Sequence, residues 1–314
     1  MIASLVFMVV GLGLLAYASD QFVIGAARVA LILQVSPLVV GVVVVGFGTS
    51  APEMLVSVLA AVGDEPEVAI GNVVGSNLAN LTLVLGIGAL LCPMIVQSKV
   101  VRREAPFVVA ATILFAIVVQ DGFTRIEGII LLVAMVAVLT AVLLGSRSGT
   151  DDPLGPETVE LTDPSHHRIG IESIRTILGL VGTVAGAQLL LTGALDIADR
   201  AGLSGGFVGA TLVALGTSLP ELVTVVQSAR RGETDLIVGN LLGSNLFNAL
   251  GVAGLVGVAA PAVIDAPNLT TVGTAVALAV AVLAWVMMRT GLLVSRREGL
   301  VLLAIYAATL PFLT

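Results

Sequence analysis

GFGTSAPE at 46–53 and ALGTSLPE at 214–221 decide how this chain is read. Each is followed at the same distance by a second shared segment, GNVVGSNLAN at 71–80 and GNLLGSNLFN at 239–248. Glu53 and Glu221 lie 168 positions apart, as do Asn72 and Asn240, Ser76 and Ser244, and Asn80 and Asn248. Even Glu65 and Glu233, in the stretches between, keep the offset. No gap is needed, so the chain reads as an internal duplication.

Composition says where the duplicate lives. The 314 residues are 57% hydrophobic and only 11% charged, with a mean hydropathy of +1.11. A soluble chain carries roughly 25% charged residues, so an ordinary soluble enzyme is excluded and an all-α polytopic membrane protein is expected. Net charge is −7, with 21 acids against 14 bases, which argues against nucleic acid as a partner. One cysteine, Cys92, allows neither an internal disulfide nor a cysteine metal site. His166 and His167 sit in a polar loop and read as solvated. No cofactor and no protein partner is expected.

Apolar runs long enough to span are expected at about 2–31, 36–62, 66–90, 101–119, 124–145, 169–199, 205–229, 235–259, 270–289 and 294–313. That makes ten transmembrane helices. The first lacks a basic leader and a cleavage site, and reads as a retained span. The acidic stretch 146–168 links a first five-helix repeat, 1–145 with its motif at 46–80, to a second, 169–314 with its motif at 214–248. Five is odd, so the second repeat enters the membrane from the opposite side. The repeats are then inverted, an architecture of transporters. Twelve basic residues fall on the linker side, among them Arg28, Lys99, Arg175 and Arg297, against Arg125 and Arg200 on the other. The positive-inside rule therefore makes 146–168 cytoplasmic and both termini extracellular, in the cell membrane.

Glu53 and Glu221 lie inside apolar spans, where a carboxylate needs a cation or a wet cavity. Inverted repeats bring such a pair together near the midplane. Thr49 and Ser50 share a helix face with Glu53, and Thr217 and Ser218 do the same with Glu221. Ser76 and Asn80 are one turn apart, as are Ser244 and Asn248. Carboxylate, hydroxyl and amide oxygens suit hard cations, and the lack of sulfur or imidazole disfavours zinc, copper and iron. Pro52 and Pro220 leave the carbonyls of Gly48 and Gly216 without a helical donor, freeing two more oxygens. Asn72, Asn77, Asn240 and Asn245 read chiefly as interhelical hydrogen bonders. Asp20 maps onto Gln188 and breaks the repeat.

GTSAPE with GNVVGSNLAN, and GTSLPE with GNLLGSNLFN, resemble the two alpha-repeats of the calcium/cation antiporter superfamily, and most of all the sodium/calcium exchanger family. The resemblance implies exchange of several Na⁺ for one Ca²⁺ through four clustered sites. It makes Glu53 and Glu221 the central ligands. It places Thr49, Ser50, Thr217, Ser218, Ser76, Asn80, Ser244 and Asn248 around them, and has the first and sixth spans slide as a gating pair. Some relatives carry aspartate where this chain has Asn248, which here leaves two negative charges and favours potassium-independent exchange. Potassium-dependent Na⁺/Ca²⁺ and H⁺/Ca²⁺ exchange are the alternatives. A passive channel leaves the site between two halves unexplained, and an intramembrane enzyme leaves the repeat unexplained.

Overall fold

The computed structural model describes residues 2–33, 37–96, 98–146, 168–232 and 234–312, with the side chains of 37–49 outside the description. Thr49, Gly46 and Gly48 fall there, and Glu233 and 147–167 of the linker are likewise outside the described residues.

The described chain is almost wholly helical, because in a bilayer each backbone polar group must find its partner within the segment. The helices are α1 (Ile2–Ile32), α2 (Pro37–Val62), α3 (Pro66–Leu91), α4 (Ser98–Val118), α5 (Arg125–Ser146) and α6 (Ile169–Ala201). They continue with α7 (Gly205–Thr217), α8 (Leu219–Arg231), α9 (Thr234–Leu246, running on to Ala259), α10 (Asn268–Arg289) and α11 (Arg296–Thr309). Among the described residues six are apolar and long enough to cross a membrane on their own: much of α1, α3, α5, α6, α9 and α10. A seventh span is obtained if α7 and α8 are one. The 205–229 run is thus not the straight helix its hydropathy suggests. It breaks at Ser218 with a bend of 40°. Pro220, at the second position of α8, has no N–H for the Gly216 carbonyl, which weakens the turn there. In α2 the helix runs through Pro52.

Helices α3 and α9 form the centre; 83% of each spanning window is buried, against 17% for α5. Both central helices loosen into a π-helical turn, Asn80–Val84 and Phe247–Val252, and α7 holds a third at Gly209–Val213. Hydropathy does not reveal such turns, which recur at functional sites. Outside lie helices with a bare apolar face: Val133 and Val136 of α5 are 62% and 64% exposed, as lipid contact requires.

Close packing is set by small residues. A Cβ on Gly11 of α1 would lie 2.6 Å from the Leu190 nitrogen of α6, and one on Gly179 of α6 would lie 2.4 Å from the Phe22 nitrogen of α1. Moving Gly11 forward by 168 and Leu190 back by 168 turns the first contact into the second. The same shift carries the approach of Gly25 to Thr176 and Glu172 onto that of Gly193 to Met8 and Ser4. Charge ties the ends of this helix pair. Arg28 reaches Glu172 at 3.3 Å and Arg175 reaches it at 3.2 Å. At the far end the Ser4 hydroxyl donates to Asp196, which also accepts from Arg200 at 2.8 Å.

Two short ladders complete the frame, and neither was legible in the hydropathy. β1 (Met94–Ile95) pairs antiparallel with β4 (Leu293–Val294), and β2 (Gly122–Phe123) with β3 (Ala262–Val263). β1 and β2 flank α4, so the ladders sit at its opposite ends. Gly122 holds φ +108° and a Cβ there would lie 2.1 Å from the Ala262 carbonyl oxygen. Gly122→Ala therefore incurs both backbone strain, of about 1–3 kcal/mol, and a clash. Gly202→Ala (φ +65°) meets no described atom and incurs strain alone. Thermal size-exclusion profiles should show the Gly122 variant losing monodisperse protein at clearly lower temperature than the Gly202 variant. Equal losses would contradict the ladder's packing.

Candidate functional site

The site forms where α2, α3, α7 and α8 meet beneath the π turn of α9, which packs on α2 and α3. Pro52 and Pro220 immediately precede the two acids. Glu53 projects from α2 and Glu221 from the first turn of α8, and both are fully buried. Each half supplies one acid, and the two lie close enough for the charge of one to act on the other. No ion pair found among the described residues reaches Glu53. Its Oε1 instead accepts from the Ser218 hydroxyl, a residue of the other half, at 3.2 Å.

Asn72 of α3 connects the rest. Its Nδ2 donates to the Glu53 carbonyl oxygen at 3.2 Å and to the Ser57 hydroxyl at 2.9 Å. Its Oδ1 accepts from Thr217 of α7 at 3.1 Å and from Ser76 at 3.4 Å. Thr217 also lies 3.3 Å from the Ala214 carbonyl oxygen.

Ser50, Ser76, Asn80, Thr217, Ser218, Ser244 and Asn248 are all buried. Asn80 opens the π turn of α3, and Asn248 lies in that of α9. Several of these groups have no hydrogen-bond partner among the described residues: Ser50 Oγ, Glu53 Oε2 and both amide atoms of Asn80 and of Asn248. Asn77 shares this condition, while Asn245 donates to the Leu241 carbonyl at 2.8 Å. Each buried polar group left unmade costs about 1–3 kcal/mol. Buried oxygens of this kind, together with a carboxylate pair, are what a hard cation satisfies. No cluster of three or more Asp, Glu, His or Cys was found among the described residues, so the cation would rely on two carboxylates and neutral oxygens.

Sequence reasoning thus named residues that the fold brings together through Glu53, Ser218, Thr217 and Ser76. Thr49 lies outside the described side chains. Ser57 was missed; its signal was its place one turn after Glu53 on the same face. Asn72 was read as a hydrogen bonder but not as a junction of four bonds. At the α2–α3 connection Glu65 lies near Asp199, Glu67 and Asp64. Partial burial first, then Asp199, pushes its carboxyl above the usual range.

A helical membrane protein whose centre holds two acids among hydroxyls and amides is of the cation-transporting class. The chain belongs to the sodium/calcium exchanger protein family, whose family model matches residues 3–144 and 173–314. CaxA of Alkalimonas amylolytica is 40% identical over 269 residues, covering 85% of this chain and 84% of that protein. The sodium/calcium exchanger MaX1 of Methanosarcina acetivorans is 29% identical over 340 residues, covering 98% and 97%. Among solved structures, the sodium-calcium exchanger NCX_Mj superposes with a TM-score of 0.67 at 30% identity, covering 99% of this chain and 98% of that one. The family is one of membrane exchangers rather than enzymes.

Proposed function

We propose that the chain exchanges Na⁺ for Ca²⁺ by alternating access and so exports Ca²⁺ from the cell. The observation that carries this reading is the fully buried pair Glu53 and Glu221, one from each half, with the Ser218 hydroxyl of the second half bonded to the carboxylate of the first. Glu53 and Glu221 are the shared ligands. Thr49, Ser50, Thr217, Ser218, Ser76, Asn80, Ser244 and Asn248 supply the surrounding hydroxyl, amide and backbone oxygens.

Charge supplies the mechanism. The empty site carries −2, and two uncompensated carboxylates in low dielectric cannot be sealed from water. One Ca²⁺ brings the site to zero; two or three Na⁺ bring it to zero or +1. Either load permits occlusion and the switch of sides, and emptiness does not, so transport of one ion is tied to return of the other. With amides at both Asn80 and Asn248 the site holds no third carboxylate for K⁺.

The same reading makes the fold two inverted five-helix repeats, 1–145 and 169–314, joined by a cytoplasmic 146–168 linker, with both termini outside. Ten spans result when α7 and α8 count as one broken span. Three findings support it. The family model matches in two segments. The α1–α6 glycine contacts interchange under a shift of 168. The β1–β4 and β2–β3 ladders, at opposite ends of α4, also correspond, though the offset there is no longer uniform: Met94 maps onto Ala262 at 168 and Phe123 onto Val294 at 171.

The test is counterflow in proteoliposomes with Na⁺, K⁺ and H⁺ gradients imposed singly. A Na⁺ gradient alone should drive uptake of radiolabelled Ca²⁺, with K⁺ adding nothing. Uptake that requires K⁺, or that follows H⁺ without Na⁺, would replace the proposal by the corresponding antiport.

A further inference from the structure

We propose that Asn72 is a positioning residue of the cation site, which aims two hydroxyl oxygens from different halves of the chain while binding no ion itself. The inference rests on the antiport reading above and adds a residue to it. A side-chain amide has two donor hydrogens and an acceptor oxygen with two lone pairs. In Asn72 all four positions are occupied, toward Glu53 O, Ser57, Thr217 and Ser76, and the residue is fully buried. With its capacity spent, the side chain has no lone pair left for a cation.

What it does to its partners follows from hydroxyl chemistry. A hydroxyl has one proton and two lone pairs, and the proton rotates to the best acceptor. Asn72 Oδ1 gives the Thr217 and Ser76 protons a common target, so their lone pairs are turned away from the amide and are free for a cation. Thr217 has competing acceptors in the Ala214 carbonyl at 3.3 Å, farther than the 3.1 Å to Asn72, and in the Glu53 carboxylate. Removing Asn72 releases that proton to one of these two acceptors and reorients the oxygen. The Nδ2 group acts on the other side, fixing the backbone of Glu53 from α3. One side chain thus sets the relative placement of α2, α3 and α7 around the acids.

The experiment is a double-mutant cycle on Na⁺-driven uptake of radiolabelled Ca²⁺ in proteoliposomes, with Asn72→Ala, Thr217→Val and the pair. Asn72→Ala should raise KM for Ca²⁺ about tenfold, the worth of one hydrogen bond to a charged centre, with kcat changed less. Thr217→Val should do the same, and the pair should be little worse than either alone. Effects that multiply, or an unchanged KM in Asn72→Ala, would overturn the proposal, since a residue that merely packs acts independently of Thr217. Should the alanine variant fail to assemble, Asn72→Ser, a bond too short to reach Thr217, closes the same cycle. Glu53→Gln separates the two levels. If it still transports, the antiport site itself is misplaced; if it is dead while the cycle is additive, only the role of Asn72 fails.

Discussion

Glu53→Gln abolishes Na⁺-driven Ca²⁺ uptake, by at least about 100-fold, while leaving the protein at least as stable in ion-free buffer as its parent. A factor of 100 corresponds to about 2.7 kcal/mol of lost ion stabilisation, modest for a fully buried charge. Glutamine keeps the volume and an acceptor for the Ser218 hydroxyl, so packing is retained. What disappears is the charge, and with it the repulsion from Glu221 that the empty site must bear. Loss of transport with no loss of thermal stability is the signature of a group placed for its ligand rather than for the fold. Uptake at near-normal rate, or a large drop in stability, would contradict that assignment.

Gly75→Ala should be as damaging, through the backbone. A Cβ on Gly75 would lie 2.2 Å from the Ala210 carbonyl oxygen and 2.6 Å from the Ala210 carbonyl carbon, in the π turn of α7. Overpacking costs roughly 1–3 kcal/mol, and here the neighbour is main chain, which has no rotamer to escape into. A Cβ on Gly71, one turn earlier, would lie 2.4 Å from the Gly206 carbonyl oxygen, so α3 and α7 approach closely along this edge. Forcing them apart moves Ser76 and Asn72 away from Thr217. Exchange should fall about 100-fold even in protein that still elutes as a single species. Gly13→Ala, where a Cβ meets no described atom, should leave both stability and exchange unchanged. Equal tolerance at the two positions would mean that the helix approach is not what positions the site.

Much of this was legible in the residues because the bilayer is a severe solvent. Spanning runs must be apolar and an acid within them must have a use, so Glu53 and Glu221 stood out, and the shared offset paired them. Helix limits followed hydropathy closely, as in α1 and α3. What escaped is what hydropathy does not encode. The break at Ser218 falls beside Pro220, while α2 runs through the equivalent Pro52, so the shared proline does not announce which half breaks. The ladders use backbone groups, so Met94 and Val294 carry no sequence mark of their pairing. The π turns at Asn80 and Phe247 shift side-chain direction without changing composition. The junction at Asn72 depends on Thr217, 145 positions away, and no local pattern announces a bond that closes only when both halves fold together.

The most direct test of the central claim is anomalous diffraction from crystals soaked in Sr²⁺, a heavy stand-in for Ca²⁺. The account predicts a strong peak within about 2.3–2.6 Å, widened slightly for the larger ion, of carboxylate oxygens from both Glu53 and Glu221, fading as Na⁺ is raised. A peak touching only one of them, a peak elsewhere in the molecule, or one that Na⁺ does not displace would contradict it.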